Sequence, residues 1–284
     1  MRLSFISFAK IAVIVALAYS LFVPPELTVG YCTSPNTPAA TLLAHNINAS
    51  LQEAFTTTGA TKVSLYFYDK KTGVTCAYLP HRKTKSASIV KVSILTALLW
   101  QRQKEHQWLS DEEQKWARDS IRLSDNTATA SLWHVLGGRR ALTSFYKTIG
   151  LNETNPGVKQ YWGDTLITAY DQVKLMKVLT TSEALPENIQ NYIIHLMQTV
   201  IPTQKWGIGA GASPNSLIVN KNGWKPCQTD QWCVHSIGNI TNNAHDYQMA
   251  LISNGSSRYS IGVEVIERVA IAINKNMMPN NQQL

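Results

Sequence analysis

From Thr41 to Phe55 the apolar residues Leu43, Ile47, Leu51 and Phe55 recur at every fourth position, which gathers them on one face of a helix. The period then changes to two. Val63, Leu65 and Phe67 alternate with Ser64, Tyr66 and Tyr68, and Lys70-Lys71-Thr72-Gly73 can turn the chain into a second strand over Val74–Leu79. From Ser88 to about Met197 the pattern is helical almost throughout, beginning with the long apolar segment Val92–Trp100. Ser110-Asp111-Glu112-Glu113 is a capping box, Gly137-Gly138 and Gly150 are helix stops, and Thr168–Leu179 and Pro186–Val200 are further amphipathic stretches. Period two returns in Leu217–Asn220, Trp232–Ile240 and Tyr247–Ile252, with turns expected at Trp224–Gln231 and Thr241–Asp246. A last helix carries Ile261, Val265, Val269 and Ala272 on one stripe, followed by the polar tail Asn276–Leu284.

Helix and two strands first, helices in the middle, three strands and a helix last: the two ends must assemble one sheet around what lies between them. The fold class expected is therefore α/β of the α+β kind, a five-stranded antiparallel sheet flanked by helices with an inserted all-helical lobe. The domain boundaries expected are 36–275, with the sheet lobe made from 41–85 plus 205–275 and the helical lobe from 86–204. A cleft between the lobes follows from that arrangement.

The first 31 residues read differently. Arg2 and Lys10 precede the uncharged run Ile11–Val23, which Pro24-Pro25 ends, so residues 1–31 are expected to be a cleaved export signal or, second, an uncleaved membrane anchor. Export would place the domain where thiols oxidise, making Cys32, Cys76, Cys227 and Cys233 candidates for two disulfides, with three pairings open. Joining Cys227 to Cys233 would close a short loop and contribute roughly 2 kcal/mol. The rival, a metal held by Cys227, Cys233 and His235, matches no zinc spacing, and no metal or other cofactor is expected. With 44% hydrophobic residues the chain can bury a substantial core. Its net charge is +8, of which +7 lies beyond residue 31, which favours an anionic cell wall or membrane surface as neighbour. No basic run interleaved with aromatics points to nucleic acid, and a monomer is expected.

Three short motifs carry chemistry. Ser88-Ile89-Val90-Lys91 places a hydroxyl one helical turn from a potential base, although Ser-x-x-Lys arises about once by chance in a chain of this length. Burial among Ile89, Val90 and Val92 would disfavour the charged lysine and let it take the serine's proton, while free N–H groups at a helix N-terminus would favour the charge developing in attack. Ser124-Asp125-Asn126 opens a helical segment; Ser124 could relay a proton to a leaving nitrogen and Asn126 could hold a substrate amide. Read alone, that tripeptide simply caps the helix Thr127–Leu136. Lys221-Asn222-Gly223 ends a strand: its ammonium could bind a carboxylate, Gly223 lets a ligand approach, and the N–H groups of Ser88 and Trp224 could form an oxyanion hole. Read alone, it is an Asn-Gly turn.

In that order the three motifs resemble those of the penicillin-interacting serine enzymes, class A β-lactamases and the related D-alanyl-D-alanine peptidases, over roughly residues 40–275. The resemblance implies Ser88 as acylated nucleophile, Lys91 as its base and Ser124 as proton shuttle. It further implies Asn126, Lys221 and the backbone of Asn222 and Gly223 as substrate-binding groups, with a β-lactam or peptidoglycan-type peptide as substrate. Asn222 stands where the family has threonine or serine, which removes a hydroxyl from the carboxylate site. The connection from Ser88 to Ser124 is shorter than in well-known class A enzymes, implying a missing cleft wall. The segment from Gly150 to Asp164-Thr165 is shortened too and lacks the Glu-x-x-Leu-Asn pattern that supplies the deacylating glutamate. Glu153, the only acid between Gly150 and Asp164, falls early by count; it is the sole candidate base, since Gln160 and Tyr161 carry no carboxylate.

The function expected is thus an exported serine hydrolase that is acylated and then hydrolysed, with a slowly deacylating penicillin-binding peptidase as alternative and a silent wall-binding module as third reading. No Gly-x-Ser-x-Gly or His-Glu-x-x-His occurs, and Gly207-Ile208-Gly209-Ala210-Gly211 is too isolated for a nucleotide loop. Trp206 and Trp224 flank the Lys221 strand as residues of either the cleft or the core.

Overall fold

The computed structural model describes residues 31–58, 63–181, 184–229 and 231–278. The export signal expected before Tyr31 and the end of the polar tail beyond Met278 lie outside the described residues. The chain runs β1 (Cys32–Thr33), α1 (Pro38–Thr58), β2 (Val63–Asp69), β3 (Thr75–Tyr78), β4 (Thr84–Lys85), α2 (Val90–Lys104), α3 (Asp111–Arg118), α4 (Asn126–Leu136) and α5 (Gly138–Thr148). It continues through β5 (Leu166–Ile167), α6 (Ala169–Thr181), α7 (Glu187–Gln198), β6 (Leu217–Gln228), β7 (Gln231–Thr241), β8 (Asp246–Ser256) and α8 (Tyr259–Asn274). Among these described helices none is long and apolar enough to cross a membrane.

Six strands form one antiparallel sheet in the order β1-β3-β2-β8-β7-β6, and β4 pairs with β5 separately. The mixed helix and antiparallel-sheet class is as expected, with one strand more than the five. The extra strand is the two-residue β1, whose Cys32 lies opposite Cys76 in register and is bonded to it. A disulfide and a few ladder bonds hold a segment too short to show a period. Cys227 and Cys233 form the second disulfide, which removes both as metal ligands.

Alternate residues of the central strands feed two cores. Met249 and Leu251 of β8 join Leu65, Phe67, Ile47 and Leu51 under α1 and α8. Ala250 and Ile252 join Ile94, Leu95, Leu98, Val173 and Met176 under α2 and α6. Every residue of α2 from Val90 to Leu99 is buried, because helices cover this one on several sides; hence its apolar run shows no polar face. On α8 Val269 and Ala272 of the expected stripe are buried together with Gly262, Ile266, Ala270 and Ile273, Val265 packs partly buried against them, and Ile261 lies at the surface. Gly262 faces inward because a Cβ there would run into Val234.

Strand β6 runs well beyond the expected Leu217–Asn220. The chain does not turn at Asn222-Gly223 but stays paired with β7 as far as Gln228, with Gly223 opposite His235. An edge strand tolerates Pro226, whose missing N–H points away from any partner, and a register shift falls beside it. As the last strand in the sheet, β6 presents its free edge to the segment carrying Ser88.

Candidate active site

Ser88 lies in a single 3-10 turn, Ala87–Ile89, just before α2. Ala87 holds φ 48°, an uncommon conformation for a residue with a Cβ, so the turn places Ser88 at the head of the helix under local strain. Gly223 of β6 packs directly on this turn: a Cβ there would lie 2.8 Å from the backbone nitrogens of both Ser88 and Ile89. Only glycine allows the strand so near the nucleophile.

One turn into α2, Lys91 is fully buried. Its Nζ donates to Ser124 O at 2.5 Å, Asn126 Oδ1 at 2.8 Å and Asp125 O at 3.2 Å, and lies 3.4 Å from Ser124 Oγ. Burial pushes its pKa down to about 7, against a smaller pull from the Asp125 charge that favours the ammonium. Lys221, equally buried on β6, donates to Ser124 Oγ at 3.0 Å and to Asn222 O at 2.9 Å. Its pKa falls well below the ordinary lysine value, first from burial and then from the charge on Lys91. Two lysines thus share one serine. Two adjacent buried ammoniums repel, so the arrangement favours at least one neutral amine able to accept a proton.

Ser124 is held for this role by backbone geometry. It follows a π-helical stretch, Asp119–Leu123, and takes the left-handed conformation, φ 61°. The next residue, Asp125, caps α4 by accepting from Ala128 N at 2.7 Å. The two readings of the tripeptide are therefore compatible: Asp125 caps the helix while Ser124 and Asn126 meet Lys91.

Other candidates have different company. The Asn222 side-chain amide nitrogen donates to the carbonyls of Gln204 and Trp206, while its backbone carbonyl accepts from Lys221 beside Ser124. The ring of Trp224 packs with Trp206 and Tyr259 against the core under α1 and α8, which assigns both tryptophans to that core. The expectation for Glu153 meets contrary geometry: its two oxygens bond His81 Nδ1 and Thr168 Oγ1, each at 2.8 Å, and its backbone bonds Asp171. Among the described residues no carboxylate hydrogen-bonds the side chains of Lys91 or Ser124. Fully buried His235 bonds Lys85 O, and burial lowers its pKa to about 4, keeping it a neutral tie between β7 and β4.

The periodicity gave no sign of three neighbours. The ring of Trp162 stands 5.1 Å from Lys91 Nζ, and Asp164, two residues on, bonds Lys225 of β6. Trp162 and Asp164 sit in a loop, where no pattern marks which side chain turns inward.

A sequence model of the beta-lactamase enzyme family matches residues 112–277, more than half of the chain, and the protein belongs to that family. It is 27% identical over 230 residues to the Mycobacterium tuberculosis protein "Putative lipoprotein LppW", an alignment covering 76% of this chain and 72% of the relative. Its fold superposes on the TLA-1 extended-spectrum β-lactamase with a TM-score of 0.73 at 14% identity, covering 82% of this chain and all of the other. PBP-A gives a TM-score of 0.70 at 18% identity, covering 81% and 96%. The fold is that of class A β-lactamases and PBP-A.

Proposed function

We propose that the protein is an exported serine acyl-enzyme, acylated at Ser88 by β-lactams or peptidoglycan-type amides, and that its acyl-enzyme breaks down slowly. The observation that carries this reading is the array Lys91–Ser124–Lys221 beside the Ser88 turn. In it, neutral Lys91 takes the proton of Ser88 Oγ as that oxygen attacks the carbonyl carbon. The N–H groups of Ser88 and Trp224 hold the oxyanion, and the substrate carboxylate is placed by Lys221 and its amide by Asn126. Ser124 then hands a proton, replaced from Lys91, to the leaving nitrogen as the C–N bond breaks.

Slow release is supported by the same surroundings. Hydrolysis of the ester needs a water and a base, and the place beside Lys91 is taken by an indole ring. Glu153 is engaged by His81 and Thr168. This favours a penicillin-binding peptidase or β-lactam sensor over a rapidly turning lactamase, while the family membership keeps the lactamase as the second reading. A leucine-to-glutamate variant of PBP-A has been captured as an acyl-enzyme with penicillin-G, which supports reading this chain as one that forms such an ester. The lipoprotein name of the mycobacterial relative supports export and anchoring by the leader.

The test is intact mass followed over time after mixing with a penicillin. One adduct is expected on the wild type, lasting well beyond a single mixing time, and none on Ser88→Ala. Absence of any adduct would sink the acyl-enzyme reading; a transient adduct with many turnovers would support the lactamase instead.

A further inference from the structure

The turn Trp162–Asp164 lies along the chain leading to Ser88. Thr84 and Lys85 pair with Ile167 and Leu166, Ser86 N donates to Thr165 O at 2.8 Å, and Ser86 Oγ reaches Gly163 O at 3.4 Å. These contacts hold the back of the turn. Its front is held by charge: Asp164 Oδ1 receives the ammonium of Lys225 and lies 3.5 Å from that of Lys85. Lys225 sits two and four residues beyond Gly223 and Lys221, on the same face of β6. The ion group therefore spans from the edge strand to the turn.

We infer that Lys225, Asp164 and Lys85 form a clasp that seats Trp162 against Lys91 and keeps water from the amine, making Asp164 and Lys225 positioning residues for the base. This rests on the acyl-enzyme reading above. A half-exposed ion pair contributes little by attraction alone. Here, however, one carboxylate separates two ammoniums from different elements, so neutralising it leaves Lys85 and Lys225 to repel across the gap. Burial raises the pKa of Asp164, but the hydrogen bond and charge of Lys225, with Lys85, outweigh it, so the clasp stays closed throughout the neutral range.

Lys91 has its hydrogen bonds with Ser124, Asp125 and Asn126, and the indole covers another of its sides. The charged groups facing it are the Asp125 carboxylate, which favours the ammonium, and Lys221, which opposes it. Neither belongs to the turn: Asp125 caps α4 and Lys221 lies on β6. If the indole withdraws, water returns, the ammonium becomes easier to hold and the midpoint of Lys91 climbs. A rise of about one unit from 7 cuts the neutral fraction at pH 7 from about a half to about a tenth, roughly a fivefold loss of active base.

The experiment compares the pH dependence of acylation by a chromogenic cephalosporin in wild type, Asp164→Asn, Asp164→Glu, Lys225→Met and Trp162→Leu. The expected result is an acid limb displaced upward by about one unit in Asp164→Asn, Lys225→Met and Trp162→Leu. Their rates at pH 7 fall about fivefold, their alkaline plateaus stay within about twofold, and Asp164→Glu restores the wild-type limb. In a Trp162→Leu background, Asp164→Asn should add nothing, because both act through one step. A wild-type limb in Asp164→Asn and Lys225→Met overturns the clasp. The Lys91 Cε resonance, assigned by its loss in Lys91→Arg, gives the same midpoint without any acylation. A protein that is never acylated but whose Cε midpoint moves in Asp164→Asn refutes the acyl-enzyme reading and keeps the clasp. An unmoved Cε midpoint refutes the clasp, whatever the acylation result.

Discussion

Replacing Lys91 with methionine is expected to slow acylation by about a hundredfold to ten-thousandfold, the range a general base contributes, while leaving the fold intact. Methionine matches the length of the buried stem without supplying a proton acceptor, so the loss reports base chemistry more than packing. The pH dependence fixes the interpretation. Lys91 works only when neutral, so wild-type acylation should fall as the pH drops through about 7, and this limb should vanish in Lys91→Met. The same group must register in stability. In the unfolded chain a lysine stays protonated up to about 10.4, whereas in the fold it releases its proton near 7. Between these values the unfolded state binds more protons, so wild-type stability rises with pH across that window and is lost again as pH falls toward 7. Denaturant melts of both proteins at pH 7 and pH 9 should show the wild type gaining on the variant. Acylation of Lys91→Met at a wild-type rate would remove lysine from the mechanism.

The sequence carried much of this site because the three motifs lie where secondary structure changes, and such places leave chemical marks. Ser110 and Glu113 announce the start of α3 and cap it as written. Ser124-Asp125-Asn126 announces α4, though not that Ser124 would turn into the left-handed region behind a π-helical stretch, which depends on how α3 meets α4. The continuation of β6 past Gly223 was hidden by Asn222-Gly223 and Pro226, both of which read as turn signals. What overrides them is tertiary: the free strand edge stacks on the Ser88 turn, and that close approach is itself the reason for the glycine. The strand β1 and the inward ring of Trp162 were illegible for a shared reason. Each is placed by contacts distant in sequence, with Cys76 and Thr75 in one case and with Lys91, through a turn tied to Lys225 and Lys85, in the other, and such contacts leave no period in the chain.

Gly223→Val should have a comparably large effect by a different route. Strand propensity favours valine at such a position, so local preference predicts a tolerated change. The contacts predict the opposite. A Cβ would sit 2.8 Å from Ser88 N and Ile89 N and 3.1 Å from Ser86 O, all backbone atoms that cannot rotate aside. Either β6 retreats or the 86–89 turn does. Retreat separates the N–H groups of Trp224 and Ser88, and loss of one oxyanion donor alone costs about a hundredfold to a thousandfold. It also draws Lys221 away from its 3.0 Å bond to Ser124. Because β6 is bonded on one side only, the sheet can absorb the shift, and the variant should keep its near-ultraviolet circular dichroism and a cooperative melt. Acylation should then fall at every pH, the alkaline plateau included, and because retreat of β6 also draws Lys225 from Asp164 and Lys221 from Lys91, the limb near 7 should move upward as well. The lost plateau distinguishes it from Asp164→Asn, which displaces the limb but keeps its plateau, and the surviving limb distinguishes it from Lys91→Met, which abolishes it. Near-normal acylation by Gly223→Val would mean that the strand edge and the Ser88 turn do not act together on the carbonyl oxygen.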